Sequence, residues 1–217
     1  MYICRMIMKM KKIILAFLLV GCTLSAAAQD VYSLFLTMPQ EETPYLSGLQ
    51  KLQLLQAELT QHGSKVENLL KDSTSIEVLM PNFLYVHLNE ARDMQIKKLP
   101  MGEGDSILCV VNTYKGKAPE SSIAYYSFKW EKLEIAGFPI PTDTRQLHMR
   151  PVDMDETKYK DLLKLLDPVL IQYVFDPVDN RLFVHQSMPL LSEEERKEVG
   201  RILHPIIISW PYNSAKQ

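Results

Sequence analysis

The sequence predicts an α+β fold: an antiparallel β meander with helices packed on one face. Three observations carry this. Leucines recur every three or four residues from Leu46 to Leu59, a helical period. The next hundred residues change to short runs rich in β-branched and aromatic residues, separated by turn residues. A second helix-then-strands order follows over 156–210. The repeated order permits two α+β subdomains, 30–136 and 152–217, within one domain spanning 29–217.

Residues 1–28 are read apart from the fold. Lys9, Lys11 and Lys12 precede the apolar run Ile13 to Leu24, and Ser25-Ala26-Ala27-Ala28 follows. Positive, apolar and small residues in that order form a secretory signal peptide, cut after Ala28. The run falls short of the roughly 20 apolar residues that span a bilayer. The expectation is therefore a periplasmic or secreted protein with no transmembrane span in its mature form. Leu19-Val20-Gly21-Cys22 offers an alternative, because it resembles a bacterial lipobox in which Cys22 would be lipidated and anchor the chain. The residues after Cys22 lack the polar tether usual in lipoproteins, which favours cleavage at Ala28.

Val31, Tyr32, Leu34, Phe35 and Leu36 form an apolar cluster ending at Met38-Pro39. Thr43 before Pro44 reads as a helix start, since a hydroxyl caps free amides and proline has no N–H to leave unpaired in the first turn. The leucine period then predicts a helix over 44–61, stopped by Gly63. Strands are predicted at Phe83–Leu88, Met94–Leu99, Ile107–Tyr114 and Ile123–Trp130. Their short connections favour antiparallel pairing, because a parallel crossover needs a dozen or more residues. The segment 137–151, with Pro139, Pro141 and Pro151, reads as a connector without a regular element. Tyr159, Leu162, Leu163, Leu165 and Leu166 predict a helix ending at Asp167-Pro168. Val169–Phe175 and Arg181–His185 flank the hairpin signal Asp176-Pro177-Val178-Asp179-Asn180. Ser192 and Glu195 form a capping box for a helix to about residue 203, and Ile206–Trp210 closes the chain as a strand.

Charge and cysteine content narrow the function classes. The chain carries 24 basic and 26 acidic residues, and four of the basic ones lie in 1–28, so the net charge from Gln29 onward is −6. No Lys/Arg run longer than Lys97-Lys98 offsets it, which argues against nucleic-acid binding. Cys109 is the one cysteine after residue 28, so no intramolecular disulfide forms in the mature chain. Its setting, Ile107-Leu108-Cys109-Val110-Val111, predicts a buried, unreactive thiol.

Candidate chemistry is sparse. Asp153-Met154-Asp155-Glu156-Thr157 matches the D-x-D-x-T string of haloacid-dehalogenase-type phosphatases, whose first Asp attacks phosphorus. The residues before it do not form a buried apolar strand, so a helix cap is the reading preferred here. His62, His87, His148, His185 and His204 share no metal-ligand spacing. No phosphate-cradling or nucleophile-elbow motif occurs, and no cofactor is expected. Tyr126, Phe128 and Trp130 share one face of a predicted strand, either as core or as a platform for a glycan or peptide.

The signal ending at Ala28-Gln29-Asp30, Leu34-Phe35-Leu36-Thr37-Met38-Pro39, Met94 to Pro100, Ser106 to Tyr114, Glu120 to Ile123 and Tyr126 to Trp130 together resemble a family of uncharacterised secreted proteins of Bacteroidales. The block 106–130 is the most specific part. The resemblance implies one exported domain and brings no catalytic residues. An additional stretch near Lys71 to Pro81 leaves the number of strands there open. The functional expectation is a non-enzymatic envelope or secreted interaction protein with a protein or glycan partner. The alternatives are a small periplasmic hydrolase, with histidines and Asp153 or Asp155 assembled from distant positions, and a glycan- or peptide-binding module.

Overall fold

The structure, a computed structural model, describes residues 29–210 except His62, Glu103, Gly104 and Thr142. The signal segment and Cys22 lie outside the described residues. Two helices come first, α1 (Val31–Leu36) and α2 (Gly48–Thr60). Seven strands follow: β1 (Lys65–Glu67), β2 (Ser73–Met80), β3 (Phe83–Asn89), β4 (Arg92–Pro100), β5 (Ser106–Lys115), β6 (Pro119–Tyr126) and β7 (Lys132–Leu133). They pair antiparallel in chain order, the expected meander. After a 3₁₀ turn at Thr144–Leu147 come α3 (Glu156–Lys164), β8 (Ile171–Phe175), β9 (Arg181–Gln186), α4 (Glu193–Gly200) and β10 (Ile206–Ser209). The last three strands form a second antiparallel sheet in the order β10-β9-β8. The α+β class holds.

Alternation along the strands divides the core in two. Leu84, Val86, Met94, Ile96, Leu108, Val110 and Tyr126 pack against Val31, Leu34, Phe35, Leu54 and Leu55 from the two N-terminal helices. On the opposite face Phe83, Leu99, Ile107, Cys109, Val111 and Tyr125 pack against Phe138, Phe175, Leu182, Val184 and Ile208. The helices thus cover one face of the large sheet, and the three-stranded sheet covers part of the other. A third cluster, Met154, Leu162, Leu166, Val199 and Ile202, joins α3 to α4.

Several expectations are corrected. The helix predicted from residue 44 begins at Gly48, because Ser47 and Gln50 form a reciprocal capping box, and Thr43-Pro44 lies in the preceding turns. β1, β2 and β7 were not expected. β6 ends at Tyr126, where Ser127 Oγ accepts from the N–H groups of Lys129 and Glu131 and turns the chain, with Trp130 at φ 65°. The connector does hold a regular piece, the 3₁₀ turn, whose first turn is capped by Asp143 accepting from Arg145 N–H.

Candidate functional site

α2 is inverted relative to an ordinary surface helix. Its buried side is Lys51, Leu54, Leu55 and Glu58. At about 100° per residue these four lie within roughly 100° of arc. Leu49, Leu52 and Leu59, part of the leucine period that predicts this helix, are 66%, 41% and 77% exposed. Their exposure has a geometric cause: repeated steps of three residues rotate about 60° backwards each time, so the leucine series winds around the helix instead of marking one face. Lys51 is 1% exposed; its ammonium donates to Met38 O at 2.8 Å and stands 5.6 Å from the Phe35 ring centroid. Burial lowers its pKa. Glu58 accepts from Gly63 N–H at 2.9 Å.

The outward side of α2 is consequently free of charge: Leu49, Leu52, Gln53, Gln56, Leu59 and Thr60. Exposed Tyr45, Leu69 and Leu70 lie beside its first turn, where Leu69 N–H donates to Tyr45 O and Gln50 Nε2 reaches Glu67 O at 2.7 Å. A shallow recess of about 300 Å³, open to solvent, adjoins this surface between Thr43, Tyr45, Leu88 and Arg92.

A polar cluster occupies the other face of the large sheet. The β3–β4 register sets His87 opposite Asp93, and the β4–β5 register sets Asp93 opposite Thr113. Asp93 Oδ1 lies 2.8 Å from both His87 Nδ1 and Lys115 Nζ, and Tyr85 O–H donates to Asp93 Oδ2 at 3.1 Å. Lys115 Nζ is also 2.8 Å from His87 Nδ1, so the ring nitrogen serves either the carboxylate or the ammonium according to its tautomer. Tyr85 is pushed up to about 12, by burial first and then by the Asp93 charge beside it. Thr113 and Ser121 exchange a hydroxyl hydrogen bond of 2.8 Å alongside. Sequence reading named His87 and missed Tyr85, Asp93 and Lys115. The usable signal was the short turn after Asn89, which folds residues 87 and 93 onto facing positions of one hairpin.

The other predicted residues do not converge. Tyr126 and Trp130 are core: Tyr126 O–H donates to Glu42 Oε1 at 2.7 Å and Trp130 Nε1–H to Leu34 O at 3.0 Å. Phe128 is half-buried under Lys98, whose ammonium is 5.2 Å from the ring centroid. No exposed aromatic stripe exists at 126–130. Asp155 caps α3 by accepting from Lys158 N–H at 2.9 Å, whereas Asp153 pairs with Arg201. His148 Nε2 meets Gln186 Oε1, and His185 stacks on Phe183 with its pKa lowered by burial. His204 follows Leu203 beside the 3₁₀ turn, its N–H donating to Leu147 O. His62 lies outside the described residues. Among the described residues no group of three or more His, Cys, Asp or Glu could hold a metal, and no helix is long and apolar enough to cross a membrane.

No curated protein matches the chain. Among solved structures it is similar to a domain of an uncharacterized protein from Porphyromonas gingivalis W83, with TM-score 0.65 and 20% identity over 84% of this chain and 94% of that one. That likeness concerns the fold. A family model described as a protein of unknown function, DUF3256, matches residues 23–214, and the chain belongs to that family.

Proposed function

We propose that this is an exported, non-enzymatic interaction protein of the cell envelope, periplasmic or secreted, that engages its partner through the outward face of α2. The single observation behind the proposal is that face, where three leucines stand in solvent with no charge among them while Lys51 and Glu58 are turned inward. Exposed apolar surface of this kind is costly unless a partner covers it. The residue order of 1–28 supports export. Cell fractionation with intact-mass analysis tests the address: a soluble periplasmic or secreted chain beginning at Gln29 is expected, and a diacylglycerol-modified Cys22 would replace it with a lipoprotein. A photocrosslinking residue at position 52 tests the surface. A discrete covalent adduct in living cells is expected, with none from the same group at Glu77 on β2; absence of any adduct at 52 would overturn the reading.

A second reading, a small hydrolase, is favoured by the His87–Asp93 pair alone. A neutral His87 donating from Nδ1 to Asp93 leaves Nε2 as an acceptor, the arrangement of an oriented general base. Asp153 and Asp155 take no part in it. Hydrolysis of an ester, amide or glycoside substrate that disappears in His87→Ala would support this reading over the first.

A further inference from the structure

We infer that the recess under the 43–46 turn is a binding site for a monocarboxylate carried on a short apolar body. The inference goes beyond the reading of the α2 face and does not depend on it.

Three pieces of chain enclose the recess: the 43–46 turn before α2, Asn68 just after β1, and the β3–β4 turn with Leu88, Asn89 and Arg92. Pro44, Leu46 and Leu88 give it an apolar wall, and Arg92 is the one charged residue among the described residues that line it. Its volume of about 300 Å³ is at the lower end of small-ligand sites, which limits the body of an occupant.

Arg92 is held in place but not neutralised. Nε and Nη2 donate to Asn112 Oδ1 at 3.2 and 2.6 Å, and Cζ stands 5.9 Å from the Tyr114 ring centroid. These contacts occupy one edge of the guanidinium. Nη1 and the second Nη2 hydrogen have no acceptor among the described residues, and Arg92 forms no ion pair there. Glu42, the acid beside Thr43 in the chain, accepts from Tyr126 O–H at 2.7 Å instead. The unused edge presents two parallel N–H bonds, the fork that a carboxylate accepts with both oxygens.

Thr43 is an independent sign of an occupant. It is 2% exposed, and its backbone is paired through Gln40 and Leu46, yet its hydroxyl Oγ1 is buried without a hydrogen-bond partner. Buried hydroxyls are rarely left unpaired, and one in the wall of a recess is a donor for whatever fills it. Asn89 adds a further donor: its Oδ1 is taken by Ala91 N–H at 2.9 Å, which leaves Nδ2 unused. Asn68, by contrast, is spent on the fold, since its carboxamide bonds Thr74, Leu88, Leu70 and Asp72.

The unspent groups of Arg92, Thr43 and Asn89 are donors, so the ligand supplies acceptors. One guanidinium balances one negative charge. A phosphate monoester, mostly dianionic at neutral pH, would bring a second charge with nothing to offset it in a chain whose net charge from Gln29 is −6. The apolar wall favours an aliphatic body over a sugar.

The test is NMR titration of the ¹⁵N-labelled chain from Gln29 to Gln217, which holds every described core residue, with 4-methylpentanoate. Saturable binding is expected with a dissociation constant on the order of 0.1–1 mM, with shifts centred on the amides of Leu46, Leu88 and Asn89. The neutral 4-methylpentanamide should not saturate. Arg92→Gln should abolish binding, and Arg92→Lys, which keeps the charge without the fork and covers impaired folding of the first variant, should weaken it about ten-fold or more. Thr43→Val should weaken binding about three-fold or more while leaving the melting temperature unchanged or raised, because it removes an unpaired buried hydroxyl. N-acetylalanylleucine separates the sources of the carboxylate: tighter binding than 4-methylpentanoate identifies a peptide C-terminus, and equal or weaker binding a free acid. No saturation by about 10 mM overturns the inference, as do equal binding of the amide, unchanged affinity in both Arg92 variants, tighter binding of 3-methylbutyl phosphate, or shifts centred on Lys115. Unchanged affinity in Thr43→Val overturns the role of its hydroxyl.

Discussion

The ammonium of Lys97 donates to the carbonyl oxygen of Pro177 at 2.8 Å, pinning the β8–β9 turn to the middle of the large sheet. It also donates to Asp176 O at 3.1 Å and stands 5.4 Å from the Phe83 ring centroid, fully enclosed. Burial lowers its pKa, and the charges of Asp176 and Asp179 oppose that effect. One side chain thus satisfies two turn carbonyls and fills the gap between the sheets.

Lys97→Ala should lower unfolding free energy by about 2–4 kcal/mol, since it opens a cavity and removes the donor to both carbonyls. Lys97→Met, which keeps most of the volume, should cost less. Urea denaturation of the two variants checks the order. Equal costs would mean that packing of the stem contributes nothing beyond the ammonium.

Three phenols make the fold sensitive to alkali. Tyr85 is pushed up to about 12, from an ordinary value near 10, by burial and by Asp93. Burial also raises Tyr125 and Tyr126, with Cys109 adding to the first and the hydrogen bond to Glu42 adding to the second. Because the folded values exceed the unfolded one, this contribution to stability is complete below about pH 10 and is lost as pH rises through the folded values. Ultraviolet titration at pH 11 should show a smaller tyrosinate fraction in the native protein than in denaturant. Coincident curves would show these phenols to be accessible.

The D-x-D-x-T string resolves into two unequal roles. Asp155 accepts from Lys158 N–H at the start of α3, whereas Asp153 is largely exposed and paired with Arg201. Asp155→Ala should cost about 0.5–2 kcal/mol and Asp153→Ala about 0–1 kcal/mol. Millimolar Mg²⁺ should leave the melting temperature unchanged. A magnesium-dependent rise abolished by Asp153→Asn and Asp155→Asn would restore the phosphatase reading.

What could be read from the sequence was what local chemistry decides. Phe83–Leu88 and Ile107–Tyr114 were legible as strands because apolar, β-branched residues run through them, and Ser192 with Glu195 announced α4. Ser73-Thr74-Ser75 hid β2: these hydroxyl-bearing residues read as loop, and the strand exists because β1 and β3 flank it on both edges. The α2 face depended on what lies beneath it, where Met38 O and Phe35 accommodate a lysine amine. The site at His87 needed Lys115, 28 residues away, and only sheet register brings them together.

Cys109 is fully buried between Tyr125 and the second sheet, and burial pushes its thiol well above the ordinary range. Native protein should resist maleimide at pH 7 and react fully in denaturant. Rapid native labelling would contradict the packing of the three-stranded sheet over β5.

Gly137 makes the last case, one that depends on space and not on backbone freedom. A Cβ at this position would overlap the ring and hydroxyl of Tyr125. Tyr125 has little room to yield, because its oxygen accepts from Phe138 N–H at 2.8 Å and its ring stacks on Trp210, with centroids 6.4 Å apart. Gly137→Ala should therefore cost about 1–3 kcal/mol by overpacking and shift the fluorescence of Trp210. If the clash is the cause, the same substitution in a Tyr125→Ala background should cost nearly nothing, and the double-mutant cycle should show coupling of about 1–3 kcal/mol. Additive costs would place the effect of Gly137→Ala in its own backbone instead of against the ring.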